Sequence, residues 1–153
     1  MLSTAEQNAL RQIAALVSDA SDPWWILGSA AMALIGVDPG EIRDIDVLVS
    51  TRDARALMRR DGIENAADGG RESYRSAVFM RTQADTLTVE IMAGYDIRRG
   101  DIWEPVAPAS REKLMVGDAT LFVPSREEQI SLLKRLGRDK DRRRLQLFKP
   151  SRD

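Results

Sequence analysis

A mixed architecture, α/β or α+β with a small mixed β-sheet, is predicted by three observations. Segments with apolar residues at helical spacing interleave along the chain with short runs in which apolar and polar residues alternate. The length, 153 residues, suits one domain. The composition, 43% hydrophobic and 31% charged, is that of a chain that buries a core. One domain is therefore expected over 1–153, with an N-terminal helix in 1–20, a mixed-sheet core over 24–123 and C-terminal helices over 125–148.

Ser3 and Thr4 precede Glu6 and Gln7, a capping-box signature for a helix running to about Val17. Its Leu10, Ile13, Ala14 and Val17 recur at helical spacing and mark the buried face. Asp22-Pro23 ends this unit, and the bulky run Trp24 to Leu27 predicts a buried strand stopping at Gly28. A helix of small residues follows from Ser29 to about Ile35. Turn residues at Asp38-Pro39-Gly40 lead to a strand from about Ile45 to Val49 and a helix from Thr51 to just before Gly62. A weak strand is expected from Ile63, then a loop at Asp68-Gly69-Gly70. Strands over 76–81 and 86–92 are joined by a polar turn. Beyond Gly94 the pattern weakens until segments at 113–116 and 120–123 flank Gly117-Asp118 as a hairpin. Pro124-Ser125 with Glu127 and Glu128 opens a helix that Gly137 stops, and a basic helix runs to about Phe148 before Lys149-Pro150.

The chain contains neither cysteine nor histidine. Thiol nucleophiles, Ser-His-Asp triads, disulfide scaffolds and zinc ribbons are thereby excluded. The net charge is −1, unevenly spread: residues 134–153 hold nine Lys and Arg against three Asp, or +6, leaving −7 on residues 1–133. A basic segment on an acidic body suits a phosphate-rich partner or a clamp on an anionic ligand, or else a solvated helix face. No apolar run approaches a membrane span and the first 20 residues lack a signal-peptide order, so a cytoplasmic protein without membrane contact is expected.

Chemistry concentrates in three places. In the strand around Asp44-Ile45-Asp46-Val47, alternation puts Ile45 and Val47 on one face and both carboxylates on the other, roughly 6.6–6.8 Å apart at their roots. They suit one hard cation or a pair; the alternative is a polar, solvent-facing edge. Gly28-Ser29 lies between a strand and a helix, where backbone N–H groups and the helix dipole favour a phosphate, although an ordinary N-cap has the same sequence. Glu90 is the sole charge on the polar side of its strand and would supply a third carboxylate for a two-metal site, unless it is a surface residue. Trp24 and Trp25 are expected in packing roles, Trp103 is a candidate for stacking on a ligand, and Arg71 and Arg75 are expected in solvent.

Gly28-Ser29, a helix, Asp44-Ile45-Asp46 on a strand and Glu90 on a later strand, in that order, resemble the polymerase-β-type nucleotidyltransferase superfamily. Lys134 and Arg138-Asp139-Lys140-Asp141 are similar to the basic helices of its small bacterial members, which include antibiotic-modifying and abortive-infection types. The resemblance spans about residues 24–92 and 125–148. It implies transfer of a nucleoside monophosphate from an NTP to a hydroxyl acceptor: a small molecule, a tRNA end or a protein side chain. It further implies magnesium, or manganese, on Asp44, Asp46 and Glu90, with Glu90 orienting or deprotonating the hydroxyl. Gly28 and Ser29 would hold the β- and γ-phosphates, Lys134 would face the nucleotide or substrate, and Lys140 and Asp141 would fix the last helices. The chain departs from the family pattern in the 14 residues between Ser29 and Asp44. Two other expectations stand beside this one: an inactive module of the same fold, an antitoxin or nucleotide sensor with a protein partner, and a nucleic-acid binder led by the basic C-terminus.

Overall fold

The computed structural model describes residues 2–148. Helix α1 (Thr4–Leu16) begins with the expected capping box, the Ser3 hydroxyl accepting from Glu6 N and the Glu6 carboxylate from Ser3 N. Its Leu10 and Ile13 are fully buried. Strand β1 (Trp25–Leu27) runs directly into α2 (Gly28–Leu34), and β2 (Asp44–Leu48) is followed by α3 (Thr51–Asp61). Ser50 caps α3, and Gly62 closes it in the left-handed conformation. Two long strands come next, β3 (Tyr74–Ala84) and β4 (Leu87–Arg99), then β5 (Ile102–Pro105). The hairpin β6 (Glu112–Val116) and β7 (Ala119–Val123) precedes α4 (Arg126–Leu136) and α5 (Asp139–Leu147). The fold is therefore α+β with a mixed sheet, as expected. The predicted Lys149-Pro150 stop lies outside the described residues, as do Lys149, Arg152 and Asp153 of the basic segment.

The main sheet has the order β1-β2-β4-β3, with β5 on the far end of β4. The β2–β4 pair is parallel; β1–β2, β3–β4 and β4–β5 are antiparallel. Ile45 and Val47 of β2 and Leu87, Val89 and Ile91 of β4 join α1 and α3 in the largest apolar cluster. On the other side, Leu48, Met92 and Ile97 pack with Leu132 and Leu136 of α4. The sheet thus presents an apolar face to α1 and α3, and α4 and α5 cover part of the other.

Two expectations are corrected. No strand forms at Ile63; residues 62–71 are irregular, because Asn65 and Ala66 clip onto β3 instead. Asn65 Nδ2 donates to Ala77 O, its Oδ1 accepts from Phe79 N, and Ala66 N donates to Phe79 O. Strand β4 also continues beyond Met92. Gly94 has φ +59°, and the alternation changes phase there. Before it the odd residues face the α1 side; after it Tyr95 and Ile97 share the opposite side with Met92. A side chain at Gly94 would come within 2.8 Å of Ala77 Cβ, so glycine suits both the turn of phase and the close strand approach.

Candidate active site

The three acids singled out above meet at the centre of the sheet. With Ile45 and Val47 buried on one side of β2, Asp44 and Asp46 face the other. The parallel register sets Asp46 opposite Glu90, and the antiparallel one sets it opposite Leu27 at the end of β1. Gly28 follows Leu27 at φ +67°, and a Cβ there would lie 2.7 Å from Asp46 Oδ2. Glycine is thus required twice at this position, by its backbone conformation and by the carboxylate against it. Asp44, Asp46, Glu90 and Gly28 all line one cleft of about 600 Å³.

Concentrating carboxylates in a half-covered site raises their proton affinity. Burial, then repulsion from Glu90 and Asp44, pushes the Asp46 pKa up to about 7, while Arg144 and Lys140 pull it back. Burial also raises Glu90, helped by the charge of Asp44 and by a hydrogen bond between the two carboxyls. All three acids thus lie on one face of β2 and β4, with Asp46 opposite Glu90 and turned against Gly28. Among the described residues no three carboxylates form a complete metal-ligand group. The donor chemistry nevertheless fits a hard divalent cation: only oxygens are offered, and their mutual repulsion is of the kind such an ion offsets.

Cations face the acids across the cleft. Arg81 lies in register with Glu90 on β3, and Arg138, just before α5, joins Lys140 and Arg144 of α5 in the lining. Asp141, fully buried, accepts from Arg138 N, Nε and Nη2 and so ties the start of α5 together. Burial opposes the charge on Arg138, but Asp141 outweighs it and holds the guanidinium above its ordinary pKa. Lys140 is lowered by burial and by the neighbouring Arg138 and Arg144. The Arg138 guanidinium also stands 5.3 Å from the Tyr74 ring centroid, and Tyr74 packs edge-on against Tyr95.

Other residues fall differently. Ser29 is 8% exposed and buried in α2, so only Gly28 of that pair reaches the cleft. Lys134 is not brought to it either; it lines a separate depression with Arg99 and Arg135. The cleft's α5 cations were within reach of sequence reasoning through the i, i+4 spacing of Lys140 and Arg144, which places both on one helix face. Trp103 stacks under Arg75, 4.4 Å from its ring centroid, and Arg75 is exposed, as expected, while pairing with Asp96 at 3.0 Å. Arg71 is exposed, as expected, and pairs with Asp68. Trp24 is buried, packed edge-on against Phe122, and Trp25 Nε1 donates to Ser110 O.

Solved structures that share this arrangement of sheet, helices and chain order include nucleotidyltransferases, and the chain has their fold. A provisionally assigned nucleotidyltransferase from Thermotoga maritima is similar over 95% of this chain and 93% of its own, with TM-score 0.77 and 24% identity. The lincosamide antibiotic adenylyltransferase LnuA, solved with lincomycin bound, is similar over 92% of this chain and 94% of its own, with TM-score 0.58 and 14% identity. A nucleotidyltransferase-like antigen of Paracoccidioides brasiliensis is similar over 96% of this chain and 77% of its own, with TM-score 0.56 and 16% identity. No protein-family model matches the sequence, and no curated protein does. No helix among the described residues is long and apolar enough to cross a membrane.

Proposed function

We propose that the protein is a magnesium-dependent nucleotidyltransferase (manganese being the other ion its oxygen ligands suit) that moves a nucleoside monophosphate from an NTP to a hydroxyl acceptor. The observation that carries this reading is the register of β2 on β4, which sets Asp46 beside Glu90 and the Asp44–Glu90 carboxyl pair in a cleft faced by Lys140 and Arg144. Asp44, Asp46 and Glu90 would hold the metal, which when bound supplies charge neutralisation for the phosphates and acidifies the attacking hydroxyl. Lys140 and Arg144 bind the triphosphate from the α5 side, and Gly28 lets the chain approach it closely on the other. Glu90 orients the acceptor hydroxyl and takes its proton. The hydroxyl oxygen bonds to the α-phosphorus, the α–β bridging bond breaks, and pyrophosphate leaves.

Incubation with α-labelled NTP, magnesium and a panel of hydroxyl acceptors tests this. Label is expected in acceptor for the wild type and to fall at least about a hundredfold in Asp44→Asn and Asp46→Asn, the scale of losing transition-state charge stabilisation. A folded wild-type protein that binds neither NTP nor divalent cation would overturn the reading.

A further inference from the structure

Four of the cations lining the cleft hold a carboxylate of their own: Arg43 pairs with Glu41, Arg71 with Asp68, Arg75 with Asp96 and Arg138 with Asp141. Arg81, Lys140 and Arg144 line it without an ion-pair partner among the described residues. Each can take an anion, but they do not stand together. Lys140 and Arg144 ride on α5, and Arg81 stands on β3. Arg144 and Lys140 are the cations that act on Asp46, whereas Arg81 and Lys140 act on Glu90. Since such effects fall off with distance, the charges are ordered across the acids: Arg144 by Asp46, Lys140 between, Arg81 by Glu90.

Arg81 is also held ready for a ligand. Val78 and Met80 are buried in the core, so Phe79 and Arg81 share the cleft face of β3. Asn65 and Ala66 fix the backbone of Phe79, and the Arg81 guanidinium stands 4.9 Å from the centroid of its ring. That contact orients the guanidinium and leaves its N–H donors unspent. Strand β3 is the outermost on its side of the sheet and Arg81 is exposed there, so even a large molecule reaches it from solvent.

We propose that Arg81 binds a phosphate carried by the acceptor. The acceptor is then a sugar hydroxyl with a phosphate ester on the same sugar: the 3′ end of a single-stranded polynucleotide, or a free nucleotide. This rests on the NTP-binding reading above, in which the triphosphate takes Lys140, Arg144 and Gly28 and the acceptor hydroxyl takes Glu90. The cation left over is the one beside that hydroxyl. A guanidinium matches a phosphate with two parallel donors. An amine-rich acceptor sets like charge against it, and an uncharged one leaves its donors unused.

Equilibrium binding to the intact protein in magnesium tests it, with the NTP site filled by whichever non-hydrolysable analogue of ATP, CTP, GTP or UTP binds tightest. The probes are oligoadenylate RNA, AMP, adenosine and an aminoglycoside. At least one of the two phosphate-bearing probes is expected to bind about ten- to a hundredfold tighter than adenosine, the worth of a hydrogen bond to a charged group. Tight AMP assigns the free nucleotide, and tight oligoadenylate alone assigns the chain end. Arg81→Gln is expected to erase the preference, Arg81→Lys to keep part of it, and both to leave the NTP analogue's affinity unchanged. Adenosine or the aminoglycoside binding as tightly as the better phosphate probe would overturn the proposal, as would a preference that survives in Arg81→Gln. So would a loss of NTP-analogue affinity in Arg81→Gln, which assigns Arg81 to the triphosphate. Failure of every NTP analogue to bind the wild type would overturn the NTP reading as well, which separates the two outcomes.

Discussion

At the scale of single residues, Gly28 shows how one position serves both backbone and site. Any side chain there adopts an unfavourable φ and presses on Asp46 Oδ2. Gly28→Ala is expected to cost about 1–3 kcal/mol, measured by denaturant unfolding, and to weaken divalent-cation binding by displacing Asp46. Asp44, Asp46 and Glu90 were readable from alternation alone, because buried Ile45, Val47, Val89 and Ile91 leave the acids no other face. Ser29 and Lys134 were not so constrained by pattern. A serine after a strand-ending glycine reads the same whether its hydroxyl points to a cleft or into a helix. A lysine on an amphipathic helix gives no sign of which neighbouring depression it borders.

At the scale of elements, the punctuation signals were strong and the phase signals weak. Capped helices α1, α3 and α4 begin at Ser3, Ser50 and Ser125 and the last two end at Gly62 and Gly137, each a local device that any tertiary context preserves. Strand β4 beyond Gly94 was obscured because a left-handed residue inside a strand breaks the period-2 pattern on which strand recognition depends. The weak strand at Ile63 failed because side-chain and backbone groups of Asn65 and Ala66 took the β3 edge first. Helix α5 hangs on Asp141, which holds three donors of Arg138 while fully buried. Asp141→Ala leaves that guanidinium half-buried without its partner. A loss of about 2–4 kcal/mol is expected in the free energy of unfolding, measured by denaturant titration, somewhat below a wholly buried pair because Arg138 is partly exposed. Nucleotide affinity is expected to fall with it, since Lys140 and Arg144 ride on the same helix.

At the scale of the whole molecule, the acids of the sheet and Arg138, Lys140 and Arg144 line one cleft, and stability is expected to depend on pH and on cations. Asp46 holds its proton to about pH 7 in the fold, against 3.8 ordinarily, so the native state binds more protons than the unfolded chain across that interval. Stability of the metal-free protein is therefore expected to fall as pH rises from about 4 to about 7, by up to about 4 kcal/mol. Calorimetric scans across that range should show the midpoint declining. Asp46→Asn should flatten the trend, and millimolar magnesium at neutral pH should raise the midpoint by binding only the native site. The parallel pairing of β2 with β4 has one more consequence, for how the chain reaches this state. Asp46 and Glu90 are far apart in sequence, and β2 must dock on β4 across α3, the irregular segment and β3. Non-local pairings of this kind slow the folding of small domains. Before β2 and β4 pair, Glu90 is remote from Asp44 and Asp46, and their docking is what brings the third carboxylate beside the other two. Protons or divalent ions are therefore expected to speed that docking as well as to favour its product, which refolding rates measured with and without magnesium check.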